Sequence, residues 1–240
     1  MNIVYCDDNI IVINKPPGVS AHGGATVTGE TVTDFLVARF PELAAVGDDP
    51  IMRPGIVHRL DKDTSGLMVI ARNQVTFEIL KELFKTRKVE KIYWAIACGT
   101  LSNTHGTISA PIGRLVSQPM KRGIEQGKSR IRGARDAVTE YRVLVDRIRN
   151  CGEKGTQPYS LIELKPKTGR MHQLRVHMKS IGHPIACDQM YGGKNVCCPS
   201  GVHRQLLHAR SLSFSFPEGK RFSFEVEVPE DFALAGQEIT

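Results

Sequence analysis

The 240-residue sequence contains no long uninterrupted apolar run. No stretch reaches the ~18–20 apolar residues that a helix needs to cross a bilayer. The amino-terminal segment also lacks the pattern of a signal peptide, because two acids come early and the first positive charge, Lys15, follows the apolar residues. We therefore expect a cytoplasmic protein without a membrane partner.

Metal and cofactor motifs are also missing. The sequence has no C-x-x-C pair and no Gly-rich phosphate loop. His172 and His177 are five residues apart, so they would lie ~140° apart on a helix and on opposite faces of a strand. This spacing excludes a two-histidine metal site, and we expect neither a metal nor a cofactor.

The cysteines do not form a recognisable disulfide pattern. Six are spread over a long chain, at Cys6, Cys98, Cys151, Cys187, Cys197 and Cys198. In a reducing cytosol they are expected to be free thiols. Zinc bound by Cys197 and Cys198 with His203 and His208 is the alternative, but adjacent cysteines are poor ligands for one tetrahedral ion.

Basic residues outnumber acidic ones, which gives a formal net charge of +7 and a pI of about 9.2. The excess is concentrated in Lys121–Arg149, where nine lysines and arginines face four acids. Many proteins are mildly basic for solubility alone, but clustered basic residues favour a polyanionic partner such as nucleic acid.

Hydrophobic periodicity predicts more strands than helices. Strands are predicted at Ile3–Tyr5, Ile10–Asn14, Gly66–Ala71, Lys91–Cys98, Ala137–Val145, Tyr159–Leu164, Leu206–Ala209, Leu212–Phe216 and Phe222–Val228. Helices are predicted at Thr31–Phe40, Thr76–Arg87 and Gln173–Ile181. We expect a loop at Arg147–Pro158 and an irregular end after Pro229. Consecutive strands indicate the α+β class, with a mixed, mostly antiparallel sheet.

One acid lies in an unusual position at the start of a buried strand. Asp61 is placed between Arg59 and Lys62, just before the apolar run Gly66–Ala71. Basic neighbours favour the ionised carboxylate, which could then act as a nucleophile or base. The alternative is a surface ion pair without a catalytic role. A glycosidase pair of Asp61 and Asp63 is disfavoured. One carboxyl of such a pair needs a raised pKa, whereas the basic neighbours favour the ionised form of both.

A second polar segment surrounds the start of a predicted helix. Lys165–Gly193 brings several basic side chains together, including Arg170 and His172. A helix N-terminus preceded by Thr168 and Gly169 is a natural site for a phosphate or carboxylate. The sequence therefore predicts an anion-binding region here.

These segments together resemble the RluA family of RNA pseudouridine synthases. The motif His58–Gly66 resembles the family signature. The other matching positions, in chain order, are Asn14–Gly18 with His22, Lys91–Tyr93 with Gly99, Thr168–His177, Gly182–Ile185, and Asp188 with Tyr191 and Gly192. The ordered match runs from about residue 3 to residue 232 of the sequence.

The resemblance implies that the protein isomerises uridine to pseudouridine in RNA, without a cofactor or metal. Asp61 is similar to the catalytic aspartate, and Tyr93 to the tyrosine that stacks on the target base. Arg175 is similar to the arginine that pairs with the aspartate, with Arg170 as the second choice. Leu164, or else Ile162, is the expected apolar wall over the uracil.

The resemblance also implies a pseudouridine synthase fold with flanking helices and an RNA-binding cleft between Arg53–Thr64 and Thr168–His177. His58 and Arg59 are expected to help move the uridine out of its stack, which costs a few kcal/mol. The family's S4 RNA-binding domain is not expected here, since the first strand begins at Ile3.

We accordingly expect a monomer with one catalytic domain, residues 1–240, acting on ribosomal large-subunit RNA or tRNA. The rival hypothesis is a non-catalytic RNA-binding or ribosome-assembly protein on the same fold. Asp61, Tyr93 and Arg175 argue against it. A hydrolase that uses Asp61 and Asp63 would release free uracil or sugar and make no pseudouridine.

Overall fold

A computed structural model of the chain describes residues 1–24, 27–127, 129–152, 155–193 and 196–237. Chain contacts divide it into two compact units, Met1–Lys91 with Ala209–Glu227, and Ile92–His208 with Val228–Thr240. We call these the first and the second unit. A single catalytic domain over residues 1–240 stays a prediction.

The described residues form twelve strands and four α-helices. The strands are β1 (Asn2–Cys6), β2 (Ile10–Lys15), β3 (Ser65–Ala71), β4 (Glu90–Cys98), β5 (His105–Ser109), β6 (Ile112–Leu115), β7 (Arg122–Gly123), β8 (Ile131–Arg135), β9 (Val138–Gly152), β10 (Gly155–Pro166), β11 (Leu207–Ser215) and β12 (Arg221–Glu225). The helices are α1 (Val32–Arg39), α2 (Gln74–Lys85), α3 (Gln173–Ser180) and α4 (Glu230–Gln237). A short 3₁₀ helix covers Pro41–Ala45.

In the first unit the strands follow the order β1-β2-β3-β11, and β12 pairs with β11. β2 and β3 are antiparallel, from Ile10 opposite Ala71 to Lys15 opposite Gly66. All seven residues of β3 are buried, as its continuous apolar run predicts.

Helix α2 packs on this sheet because its sequence has apolar residues at helical spacing. Asn73 accepts a hydrogen bond from the backbone N–H of Thr76 and caps the first turn. Phe77, Leu80 and Leu83 then lie buried in the hydrophobic cluster of the first unit. Burying each of these side chains contributes roughly 1.5–3 kcal/mol.

In the second unit the order is β4-β10-β9-β5, and all of these pairs are antiparallel. A separate three-stranded sheet has the order β7-β6-β8. Leu174 and Met178 of α3 are buried with Ile162 and Leu164 of β10 in one hydrophobic cluster. The observed α+β architecture with mostly antiparallel pairing confirms the predicted fold class.

Three predicted boundaries are wrong. The loop Arg147–Pro158 is largely strand, because β9 and β10 keep pairing up to Gly152 opposite Gly155. The predicted strands Leu206–Ala209 and Leu212–Phe216 are one strand, β11. The end after Pro229 is helical, and Phe232 and Ala235 of α4 are buried against the second unit's core.

The expectation of free thiols is wrong for four cysteines. Cys98 is bonded to Cys197 and Cys187 to Cys198, with Cα–Cα separations of 6.1 and 4.6 Å that disulfides accept. Cys197 and Cys198 are therefore not thiolate ligands, which removes the zinc alternative. Cys6 is an exposed free cysteine.

Some sequence predictions fall on residues outside the description, namely Lys128 and the side chains of Arg147, Arg149 and Cys151. Within the described ranges, no helix is long and apolar enough to cross a bilayer.

Candidate active site

Asp61 lies in a tight turn at the entrance to β3. Its side chain is partly buried, and its carbonyl oxygen accepts a hydrogen bond from the backbone N–H of Thr64 at 3.1 Å. The turn leads directly into the buried residues Thr64 and Ser65. The backbone of Asp61 is therefore fixed by a local bond and by the strand that follows.

A buried lysine fixes the same turn from the other side. The Lys15 side chain is fully buried, and its ammonium donates to the carbonyl oxygens of Pro16, Val19 and Lys62, each at 2.8 Å. An ammonium group has three N–H donors, so each carbonyl can receive one of them. Because the Lys62 carbonyl follows Asp61 directly, Lys15 connects the Asn14–Gly18 turn to the Asp61 turn.

Gly66 allows the strand after Asp61 to approach its neighbour closely. Its φ of +112° lies in the region that favours glycine, and a Cβ at this position would lie 2.3 Å from the carbonyl oxygen of Ala209. Any side chain here would push β3 away from β11. The glycine of the Asp61 motif therefore has a structural cause.

Arg59 is exposed, and a histidine orients it. Its Nη1 donates to Nε2 of His22 at 3.0 Å, while Nδ1 of His22 donates to the carbonyl oxygen of Gly23 at 2.7 Å. Burial lowers the pKa of His22, and the charges of Arg59 and Arg53 lower it further. His22 is therefore neutral near pH 7, as its acceptor role requires.

His58 has a structural role within the first unit. Its Nε2 accepts a hydrogen bond from the backbone N–H of Val69 at 3.0 Å, and its ring stacks on Phe84 with centroids 4.5 Å apart. Burial lowers the pKa of His58 to about 3, and the charge of Lys91 contributes to the shift. Its proposed contact with RNA stays a prediction.

In the second unit, Arg175 forms a bidentate ion pair with Asp188. Nε and Nη2 of Arg175 donate to the two carboxylate oxygens at 2.7 and 2.9 Å. The side chains are 7% and 0% exposed. Asp188 also accepts from the backbone N–H groups of Met190 and Tyr191, each at 3.0 Å. Such a charge-assisted fork fixes the guanidinium plane.

Tyr191 extends this network toward the start of α3. The Arg175 guanidinium lies 5.0 Å from the centre of its ring, and the Tyr191 hydroxyl lies 2.8 Å from Nδ1 of His172. His172 occupies the N-cap position of α3 with a φ of +58°, a strained conformation for a residue other than glycine. His172 and Arg175, both predicted as site residues, therefore belong to one connected group.

Gln173 and His177 hold α3 against the strands. Gln173 accepts from the Thr168 hydroxyl at 2.7 Å and donates to the Thr139 hydroxyl at 3.0 Å. Nδ1 of His177 accepts from Thr139, and Nε2 donates to the carbonyl of Ala110. Burial lowers the pKa of His177, so the ring is neutral. This network positions Arg175 through its helix.

The other predicted residues of the second unit lie on β10, β4 and the loop before α3. Leu164 is fully buried and is paired in register with Tyr93, which packs against the same cluster. Arg170 is partly buried, and its Nε donates to the carbonyl of Asp136 at 3.0 Å. Burial suits Leu164 as a support for the Tyr93 ring.

The structure thus assigns the predicted residues to two groups. His58, Arg59 and Asp61 belong to the first unit, and Tyr93, Leu164, Arg170, His172 and Arg175 to the second. The predicted ion pair of Asp61 with Arg175 stays a prediction. Among the described residues, no group of three or more metal-ligating side chains could hold a metal ion.

Sequence reasoning gave no role to Lys15 and Asp188, the two residues that fix the Asp61 turn and Arg175. Both belong to matched motifs, so the signal was available, but a contact between separate segments cannot be read from spacing. For Asp188 the useful signal is an acidic residue that follows shortly after a helix with several basic side chains.

Comparisons with known proteins find relatives that match most of the chain. A family model described as RNA pseudouridylate synthase matches residues 9–180. Ribosomal large subunit pseudouridine synthase D of Borreliella burgdorferi is 43% identical over 232 residues, which cover 97% of this chain and 66% of that protein. An uncharacterized RNA pseudouridine synthase of Synechocystis sp. is 39% identical over 220 residues, covering 90% and 62%.

A solved structure gives the same result for the fold. Human RNA Pseudouridylate Synthase Domain Containing 4 is 29% identical, with a TM-score of 0.74, and the match covers 99% of this chain and 92% of that one. The chain therefore spans about two thirds of the length of the two bacterial relatives above and nearly all of this solved chain.

Proposed function

Since this chain belongs to the RNA pseudouridylate synthase family, we propose that it isomerises uridines in RNA to pseudouridine. Asp61 is the proposed catalytic group, with Tyr93 and Arg175 as its catalytic partners. The observation that carries the proposal is the family match over residues 9–180, because that range contains all three residues.

The reaction breaks the N1–C1′ glycosidic bond of uridine and forms a C5–C1′ bond after the uracil has turned. The carboxylate of Asp61 acts on the ribose or the base as a nucleophile or base, which requires its ionised form. A base removes the C5 proton in the last step, and N1 gains a proton, so no atom is gained or lost overall. Tyr93 is the proposed acceptor of the C5 proton.

Positioning supports this assignment. A reacting carboxylate must be held close to the productive geometry, and the two backbone bonds at Asp61 and Lys62 restrict the turn. Arg59 is exposed and carries a permanent charge, so it suits contact with the RNA backbone or the displaced base. His58, Arg170 and His172 are proposed to bind the RNA, and Leu164 to support the base-stacking Tyr93.

The proposed substrate class is ribosomal large-subunit RNA. The Borreliella burgdorferi relative is named for that RNA, and the net charge of +7 suits a polyanion. tRNA is the second substrate to test. Mapping of pseudouridines in a deletion strain identifies the target uridines. Their pseudouridines should be missing from the deletion strain and should return when the gene is reintroduced.

Turnover is measured as tritium released from RNA that carries C5-tritiated uridine. We expect Asp61→Asn to lower single-turnover release by at least about 1,000-fold, because the variant keeps the shape of the side chain and loses the charge. Asp63→Asn is the matched control, since Asp63 lies two residues away in the same turn. We expect it to keep most of the activity.

Three results would contradict the proposal. Tritium release by Asp61→Asn at the wild-type rate would remove Asp61 from the mechanism. A wild-type protein that binds RNA and releases no tritium from either RNA would support the non-catalytic alternative. Free uracil among the products would instead indicate hydrolysis.

A further inference from the structure

Three arginines lie side by side across the small sheet β7-β6-β8. Arg114 of β6 is directly opposite Arg122 of β7 and directly opposite Arg132 of β8. In antiparallel strands, directly opposite residues point to the same face with Cβ atoms roughly 4.5–5.5 Å apart. Arg114 and Arg132 are exposed, and Arg122 is partly buried. We call these three residues the arginine row.

A β-bulge in β8 produces this alignment. Ile112 is opposite Arg135 and Arg114 is opposite Arg132, so two steps along β6 match three steps along β8. The extra residue falls where Gly133 has a φ of +61°, and a Cβ there would have open space around it. The glycine therefore serves the bulge conformation. Without the bulge, Gly133 would be opposite Arg114 and the row would be broken.

The arginine row does not help to stabilise the folded sheet. Like charges directly opposite each other destabilise a sheet. In the part of the chain that the structure describes, no carboxylate forms an ion pair with any of the three, and the nearby Glu125 pairs with Arg130 at 3.1 Å. A line of aligned cations without an internal counter-charge indicates an external anion with regularly spaced charges.

The row is fixed to the group that contains Arg175, within the same unit. The backbone N–H of Arg122 donates to the Tyr191 hydroxyl at 3.0 Å, and the Tyr191 ring lies against Arg175. Ile112 is buried in a cluster with Val176 and Tyr191. The small sheet therefore has a defined position relative to the proposed catalytic arginine.

We propose that the arginine row binds consecutive phosphates of the RNA strand that carries the target uridine. The proposal rests on the proposed function, which supplies RNA as the polyanion. Each phosphate has one negative charge, and arginine matches phosphate oxygens with its fork of N–H donors. The row fixes the register of the strand, while the sequence of the RNA is read elsewhere.

The test compares two arginines of the same segment. Arg132→Gln removes a member of the row, and Arg130→Gln removes another exposed charge, one that is already paired with Glu125. Binding of a short mixed-sequence single-stranded RNA is measured by fluorescence anisotropy from low to high salt. Losing one phosphate contact reduces the slope of log K against log salt by about 0.7.

We expect Arg132→Gln to weaken binding about three- to tenfold at low salt and to reduce the salt slope by about 0.7, with a reduction of about 2 when all three arginines are replaced. Arg130→Gln should keep the wild-type slope. The thermal midpoint of Arg132→Gln should stay the same or rise, because the row repels itself. A merely structural role would lower it.

Failure of this proposal is distinguishable from failure of the proposed function. If the wild type releases tritium and Arg132→Gln shows the same salt slope as Arg130→Gln, the arginine row does not bind RNA phosphates. The same result is expected if the arginine row binds an acidic protein instead of RNA. If the wild type releases no tritium, the proposed function fails. The salt slopes of the variants then still show whether the arginine row binds RNA phosphates.

Discussion

The two units fix their proposed catalytic residues in different ways. In the first unit, the Asp61 turn is held by backbone carbonyls that accept from Lys15 and from the Thr64 N–H. In the second unit, Arg175 is held by side chains, through the two carboxylate oxygens of Asp188 and the ring of Tyr191. The first arrangement restrains the backbone around a carboxylate, and the second orients a charged plane.

This difference has a physical reason. The two bonds that hold the Asp61 turn are accepted by backbone carbonyls, so neither of them uses the carboxylate oxygens of Asp61. A guanidinium has five N–H donors, and Arg175 uses two of them for the carboxylate of Asp188. Loss of a side-chain partner should therefore affect the second unit more than loss of a backbone contact affects the first.

The largest effect is expected for Asp188→Asn. The amide cannot reproduce the charged fork, so the buried ion pair between Arg175 and residue 188 is lost. Breaking a buried ion pair in this way costs about 3–5 kcal/mol. We expect the free energy of unfolding in urea to fall by this amount and the turnover to fall with it.

Asp231→Asn is the matched comparison. Arg204 also donates through Nε and Nη2 to both oxygens of Asp231, but the Asp231 side chain is 34% exposed. Water can replace part of that pair, so the loss should be about 1 kcal/mol. Equal losses for the two variants would show that burial does not distinguish the pairs.

Lys15→Met is expected to have the next largest effect. Methionine fills a similar volume, but the carbonyls of Pro16, Val19 and Lys62 lose a buried donor. Unsatisfied buried acceptors cost about 1–3 kcal/mol, so we expect a loss of about 2–3 kcal/mol in the free energy of unfolding. Turnover should fall further than stability explains, because the Asp61 turn loosens.

The control for this variant is Lys62→Met. The Lys62 side chain is exposed, and its carbonyl remains in place for Lys15. We expect its unfolding free energy to stay within about 0.5 kcal/mol of the wild type. A stable, fully active Lys15→Met would mean that the lysine does not restrain the turn.

The first unit was easier to predict from the sequence than the second. Strand β3 and helix α2 follow from local apolar patterns, and the Asp61 turn lies within one continuous motif. By contrast, the continuation of β9 and β10 depends on cross-strand pairing that composition does not encode. The Asp188 partner of Arg175 and the disulfide of Cys187 likewise join separate segments, so spacing alone could not find them.

Acid should destabilise the first unit through His58. At mildly acidic pH the loss of unfolding free energy should be smaller than the losses expected for Asp188→Asn and Lys15→Met. The folded pKa of His58 is about 3, against about 6.5 in the unfolded chain. As the pH falls below about 6.5, the unfolded chain takes up a proton that the folded protein does not, so stability is lost until about pH 3. One such group contributes up to about 1.4 kcal/mol per pH unit.

His58→Gln should therefore reduce the slope of unfolding free energy against pH by up to one proton between pH 6 and pH 4. The glutamine oxygen can accept from the Val69 N–H, so the hydrogen bond is kept while the titrating group is removed. His105→Gln, a change at an exposed histidine of the second unit, is the control and should follow the wild-type curve. If His58→Gln loses stability in acid as steeply as the wild type, the acid-sensitive groups lie elsewhere, and His177 of the second unit is the next to replace, because its pKa is lowered by burial too.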